Sequence, residues 1–319
     1  MIHKKGIIIH PEEISGTWEK TLINSDVSAL GLHPVGGLDS HRRVLELAEK
    51  GFSPEQDKIL KNLIRNGISI EYELHVMSFL LPRELFPANP EYFRMNEKGE
   101  RTPDFNLCPS NKDSLEIVSD SAESLAKMLE YSSEIYNFWL DDVFDASCFC
   151  PECQKYTPSD QALIIYNTVL RGLKRVNKNA KQSFLAYCST SNPPVKVTPE
   201  DGIFLEFAPF KRDFAKPLYD GENRIPVKQA LDNISFFGTK NSKALEYWLD
   251  NSMNSGWKKP PKEFHLNREV LEKDMEFYEK AGYEYITAFA CYLGEDYNDL
   301  FGIPDLEEYI KHNIDIHQN

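Results

Sequence analysis

At 319 residues the chain is long enough for one large α/β domain or two small ones, and its make-up (41% hydrophobic, 12% aromatic, 27% charged) is that of a globular protein. A net charge of −14 argues against nucleic acid and anionic membrane surfaces as partners, since both need a basic footprint. No run of ~18 apolar residues occurs, and Met1 to Lys5 leads into a short strand rather than a signal-type segment, so a soluble, cytoplasmic protein is expected.

Strand and helix signals alternate along the whole chain. Residues 7–9 are the first strand, ending at His10-Pro11, and 12–24 a helix with acidic residues in its first turn. A second strand over 27–32 closes in a glycine-rich turn, Gly31 to Gly37; helices over 40–49 and 54–66 follow, the latter stopped by Gly67. Strand three spans 68–74 and is followed by His75. The proline-interrupted stretch 76–111 is too irregular for a helix and too long for a simple connector, which marks it as a functional loop.

A helix over 113–131 carries apolar residues near a 3.6 period. Strand four, 135–140, ends in Asp141-Asp142, and its loop carries Cys148, Cys150 and Cys153. Beyond it come a helix (160–176), strand five (183–188), strand six (203–208), a helix (226–237), strand seven (243–249), a helix (267–281), strand eight (285–291) and a closing helix (305–314). Strand five alone has only a weak helical segment after it.

Eight β/α units in about 300 residues are the outline of a (β/α)8 TIM barrel. The rival, a doubly wound open sheet, should show a G-x-G-x-x-G turn after strand one, where this chain reads HPEEISG. With no internal repeat or linker, a single barrel domain over 1–319 is expected, with long loops at 76–111 and 141–158.

In such a barrel the chemistry sits at the C-terminal strand ends. These carry His10, His33, Glu73 with His75, Asp141 with Asp142, Tyr187, Glu206, Glu246, and Cys291 with Tyr292. Carboxylates converging on an aromatic cleft suit glycosidic bond cleavage, which needs one protonated acid and one ionised partner. Trp139, Tyr187, Tyr247, Trp248 and Tyr292 offer flat faces for sugar rings, and His33, Glu73 and His75 offer hydrogen bonds to hydroxyls. Each has a plainer reading: the aspartates as loop or cap residues, the histidines as barrel filling. Glu206 and Glu246, flanked by apolar residues, would be costly to bury without partners. Lys211 and Arg212 read as a solvated surface pair, with recognition of a uronate carboxylate as the functional alternative.

Six cysteines are too few for a disulfide scaffold in a chain of this length. Cys188 and Cys291 lie in apolar runs and read as small buried hydrophobes. Cys148, Cys150 and Cys153, with Cys108 from the neighbouring loop as a fourth ligand, read as a structural zinc site that braces the loops after strands three and four. The rivals are two disulfides or plain thiols.

The segments YFRMNEKGERTPDFNLCPSN, NFWLDDVFDASCFCPECQ, FLAYCSTSNPP and ALEYWLDNSM resemble those of bacterial glycoside-hydrolase-like TIM-barrel proteins, a group of domains of unknown function distantly similar to α-glucuronidases and β-hexosaminidases. The resemblance covers roughly 6–254 and is most specific at the aspartate pair followed by C-x-C-x-x-C. It implies a general acid at the end of strand four, here Asp141 or Asp142, and further carboxylates from strands six and seven, here Glu206 and Glu246. Those relatives generally place a glutamate as the acid, and the accessory domains usual among them are missing here.

The reading that results is a glycosidase acting on a carbohydrate substrate, with Asp141 or Asp142 as acid and Glu246, supported by Glu206, as nucleophile or base. Two alternatives stay open. One is a carbohydrate-binding barrel without catalysis; the other is zinc-thiolate alkyl transfer, which requires three cysteines on an open metal and Cys108 far from them.

Overall fold

The computed structural model describes residues 2–36 and 39–311. Strand β1 (Lys4–Ile9) runs into a 3-10 turn (Pro11–Glu13) and then helix α1 (Gly16–Ile23). The single helix expected over 12–24 is broken because Ser15 accepts the Trp18 backbone N–H and starts a fresh helix there. Next come β2 (Ala29–Leu32), α2 (Ser40–Lys50) and α3 (Pro54–Arg65). Ser53 and Gln56 cap the start of α3 reciprocally, and Gly67 beyond its end takes φ +82°, open to glycine without strain. Gly37, in the expected glycine-rich turn, lies outside the described residues.

Strand β3 (Ser69–His75) opens the long 76–111 segment, which contains a one-turn helix α4 (Met77–Leu80) and two 3-10 turns. Helix α5 (Lys112–Met128), β4 (Ile135–Trp139), α6 (Pro158–Val176), β5 (Lys181–Ala186) and β6 (Ile203–Phe207) follow. Only a 3-10 turn (Cys188–Thr190) comes directly after β5, as its weak helical signal implied. The last third holds α7 (Arg224–Phe237), β7 (Lys243–Glu246), α8 (Asn251–Asn254), α9 (Arg268–Ala281), β8 (Tyr285–Phe289), α10 (Glu295–Phe301) and α11 (Glu307–Ile310). The sequence reading had no counterpart to α10, and residues 312–314 of the expected closing helix lie outside the described residues.

The strands are hydrogen-bonded in the order β1 to β8 and close into a barrel. Pairings β1–β2, β8–β1, β3–β4, β4–β5, β5–β6 and β7–β8 are all parallel. This is the (β/α)8 fold, and the open-sheet alternative is excluded.

Two compact units share the chain: one draws on Met1–His33, Phe52–Glu71 and Lys211–Asn319, the other on Pro34–Gly51 and Tyr72–Phe210. In the first, Gly6 leaves room that a Cβ would take from Thr287 Cγ2 and Tyr285 Oη, both 2.8 Å away, which is why the strand carries glycine there. In the second, Gly172 of α6 lies against α5 so closely that a Cβ would stand 2.1 Å from the Ser119 carbonyl oxygen.

Candidate active site

Within the second unit, the direction of each side chain follows from strand alternation and from what it touches. Trp139 Nε1 donates to Ser183 Oγ on β5 (3.3 Å) and to Glu206 Oε2 on β6 (2.7 Å). A side chain that reaches past one strand to the next lies on the concave face, so Trp139, Ser183 and Glu206 point into the barrel. Register places Glu73 opposite Asn137 and His75 opposite Trp139 on that same face. By contrast Phe184, one residue out of phase, packs on Tyr166 of α6. Glu73, Asn137 and Glu206 are fully buried. The His75 ring meets Trp139 edge-on at 5.2 Å and its Nδ1 bonds the Leu140 carbonyl.

At the rim the two aspartates part company. Asp141 is buried and fully engaged: Oδ2 accepts from Arg83 (2.8 Å) and from the Asn106 backbone N–H (2.6 Å), and Asn106 Oδ1 accepts the Asp141 N–H (2.9 Å). It ties the loop after β3 to the loop after β4. Asp142 is exposed, with the Tyr187 hydroxyl 3.5 Å from its Oδ1. Burial and the neighbouring Asp142 charge push the Tyr187 hydroxyl above its ordinary range, keeping it a donor. Of the two candidates for the acid, only Asp142 has a carboxylate presented to solvent.

The first unit gives a different account of β7. Tyr247 stacks on Phe289 of β8 (5.4 Å), and Phe289 meets His33 beyond β2 (5.2 Å), so Tyr247, Phe289 and His33 line the concave face. Glu246, one residue out of phase, faces α9. Its Oε1 accepts from the Tyr278 hydroxyl (2.6 Å) and from Arg212 (3.0 Å), and Arg212 also pairs with Asp274 at 2.7 Å. Glu246, expected as nucleophile or base, is thus a fully buried member of an ion network between strand and helix. Burial outweighs the Arg212 charge and pushes its carboxyl up to about 7. Arg212 is correspondingly no surface residue and does not reach outward for a uronate: its side chain is 0% exposed.

Trp248 also turns toward α9, donating to Asp274 (2.9 Å). With Phe214, Tyr247, Asp250 and Phe264 it walls a cavity of about 230 Å³. Tyr292 lies under Lys259 (4.1 Å to the ring) and edge-on to His10.

The cysteine loop belongs to the second unit. Cys108, Cys148, Cys150 and Cys153 are buried together, with Cys108 Sγ 3.7 Å from Cys150 and 3.8 Å from Cys153. A tetrahedral zinc with ~2.3 Å bonds requires sulfur edges of ~3.8 Å, so the spacing fits that ion. The Met95 N–H donates to Cys148 (3.3 Å), Arg101 reaches the same sulfur (3.7 Å), and Ser110 Oγ lies 3.2 to 3.5 Å from the other three. These donors suit thiolates. None of the six cysteines is paired in a disulfide, and Cys108 joins the other three, against the open three-cysteine metal that alkyl transfer requires.

The first turn of α6 anchors this loop. Gln161 accepts the Cys148 N–H (2.8 Å) and donates to the carbonyls of Cys148 and Cys153 (3.2 and 3.1 Å). Asp160 Oδ1 accepts three consecutive N–H groups, from Val195, Lys196 and Val197.

Sequence comparison matches residues 51–292 to a domain of unknown function, DUF4838. The chain belongs to the DUF4838 family. No curated protein matches it. Among solved structures, endo-glycoceramidase II from Rhodococcus sp., complexed with a cellobiose-like imidazole, aligns over 91% of this chain and 73% of its own with 8% identity and a TM-score of 0.51. A cold-adapted β-galactosidase from Rahnella sp. R3 aligns over 90% of this chain at 13% identity and a TM-score of 0.52. This DUF4838 chain spans half the length of that enzyme. At such identities the likeness is one of fold alone, the (β/α)8 barrel.

Several residues that shape this DUF4838 site gave no sequence signal. Arg83 is one of several basic residues in the irregular segment, 58 positions from the aspartate it holds. Asp274 lies among the charged residues of an ordinary amphipathic helix, although it is fully buried. A polar residue on the apolar stripe of that helix was the available clue.

Proposed function

We propose that this chain is a glycoside hydrolase whose reacting carboxylates come from β4 and β6: Asp142 protonates the leaving oxygen and Glu206 is the ionised partner. The observation that carries this reading is the concave face of the second unit, where Glu73, Glu206, Trp139 and His75 point inward below a rim that presents Asp142 beside Tyr187. The Trp139 indole N–H donates to the buried Glu206, while Asp142 meets solvent. Two carboxyl groups in unlike surroundings are what acid-base division of labour needs. The four-cysteine zinc, closed and buried, braces the loop that carries Asp142 and takes no part in the chemistry.

A panel of aryl glycosides, uronides included, tests this. Wild type should hydrolyse at least one; Asp142→Asn and Glu206→Gln should each lower kcat/KM by ~10²-fold or more, and Glu246→Gln should leave it within a few-fold. Unchanged rates in the first two variants would remove them from the mechanism.

One observation favours a second reading, a barrel that binds carbohydrate without cleaving it: within the first unit, β7 turns Tyr247 inward onto Phe289 where an acid was expected. That reading predicts sugar-induced thermal stabilisation with no turnover of any aryl glycoside.

A further inference from the structure

A second group of metal-type donors lies in the first unit. His10 directly follows β1, Glu13 closes the 3-10 turn after it, and Cys291 follows β8, the parallel neighbour of β1. All three are buried, and a His10 nitrogen, a Glu13 oxygen and Cys291 Sγ lie within 4.8 Å of one another. They stand at the strand ends where barrels of this type gather chemistry.

The supporting contacts are those of a ligand set held in readiness. His10 Nδ1 is 2.7 Å from the His33 carbonyl oxygen. A carbonyl can only accept, so Nδ1 carries the proton and Nε2 keeps its lone pair, the arrangement that orients a metal-binding imidazole. The Glu13 carboxylate is fixed by two backbone donors, Tyr292 N–H at 2.7 Å on Oε1 and His10 N–H at 3.1 Å on Oε2. Two donors leave lone pairs on both oxygens. Among the described residues Lys259 Nζ, at 3.8 Å from Glu13, is the competing cation, but it is matched at shorter range by Asp296 (2.6 Å) and also lies over the Tyr292 ring (4.1 Å).

We propose that His10, Glu13 and Cys291 form a second transition-metal site, selective for zinc-like ions. One imidazole, one carboxylate and one thiolate make a borderline donor set that suits zinc and disfavours magnesium or calcium, which take oxygen ligands. Side-chain shifts bring all three donors to the ~2.0 to 2.3 Å of zinc bonds. Binding releases the Cys291 proton to solvent, and the carboxylate and thiolate together neutralise the ion. Three protein ligands leave a fourth position for water or a substrate hydroxyl, as in zinc sites that are not purely structural.

Anaerobic titration of the metal-stripped full chain with Co²⁺, read by stoichiometry and by the sulfur-to-cobalt and d–d absorption bands, tests this independently of the four-cysteine site. Wild type should take two equivalents. Cys291→Ala and His10→Gln should each lose one and keep the four-thiolate spectrum, whose persistence also shows that the fold is intact; Cys153→Ser should lose the other. The proposal is overturned by a wild-type chain that takes a single equivalent abolished by Cys153→Ser, or by two equivalents that survive both Cys291→Ala and His10→Gln. If the alanine variant fails to fold, the His10→Gln titration decides.

Discussion

Replacing Glu246 by glutamine isolates the cost of one buried charge. In the folded chain two carboxylates, Glu246 and Asp274, face the single guanidinium of Arg212. Burial lifts the Glu246 carboxyl from 4.5 to about 7. Between those values the folded state holds a proton that the unfolded state has lost, so wild-type stability falls as pH rises through the window. At ~1.4 kcal/mol per tenfold change in proton affinity, the fall is ~3 kcal/mol. Glutamine keeps the shape and accepts from Tyr278 and Arg212 but does not titrate. The melting temperature of Glu246→Gln relative to wild type should therefore rise between pH 5 and pH 8. With ~0.7 kcal/mol/K of unfolding entropy for 319 residues, the relative gain is ~5 °C. Glu13, also pushed up to about 7 by burial, is present in both proteins and cancels. Melting temperatures that run parallel across this range would refute the placement of Glu246 as a buried, excess negative charge.

Asp141→Ala strips Arg83 and the Asn106 N–H of their acceptor and should lower unfolding free energy by ~2 to 3 kcal/mol, measured by urea titration. Prolonged chelation, or Cys153→Ser, should lower the melting temperature by ~6 °C, as expected when an ion held at ~1,000 times its Kd is lost, and should open the cysteine loop to protease. An unchanged melt after verified metal removal would count against the bracing role. Gly172→Ala should destabilise by ~1 to 2 kcal/mol despite alanine's better helix propensity, because the added methyl collides with the Ser119 carbonyl of α5; a stabilised variant would show that the two helices can separate at no cost.

The barrel was legible because its strands are short apolar runs separated by helices of clear period, and the cysteine spacing announced a shared volume to which Cys108 could be added from loop adjacency alone. Side-chain direction was not legible on β7. Lys-Ala-Leu-Glu-Tyr-Trp has no polar and apolar alternation, since both faces of a barrel strand are covered, and nothing in the sequence says whether Glu246 or its neighbour Tyr247 looks inward. The same one-residue ambiguity decides between Asp141 and Asp142. Only the partners Arg83 and Asn106, remote in sequence, separate an anchoring carboxylate from one open to solvent. The ion network of Arg212 with Glu246 and Asp274 is equally invisible, because Arg212 and Asp274 alone read as surface charge and nothing in the sequence links them to Glu246.

The start of α6 acts as a keystone. Two consecutive side chains, Asp160 and Gln161, hold the loop after β5 by three backbone N–H groups and the cysteine loop by both termini of one amide. The outer portions of both loops are therefore free to diverge, and with them the ligand accommodated, while their roots stay pinned to one helical turn. A single change at that turn shifts two loops at once.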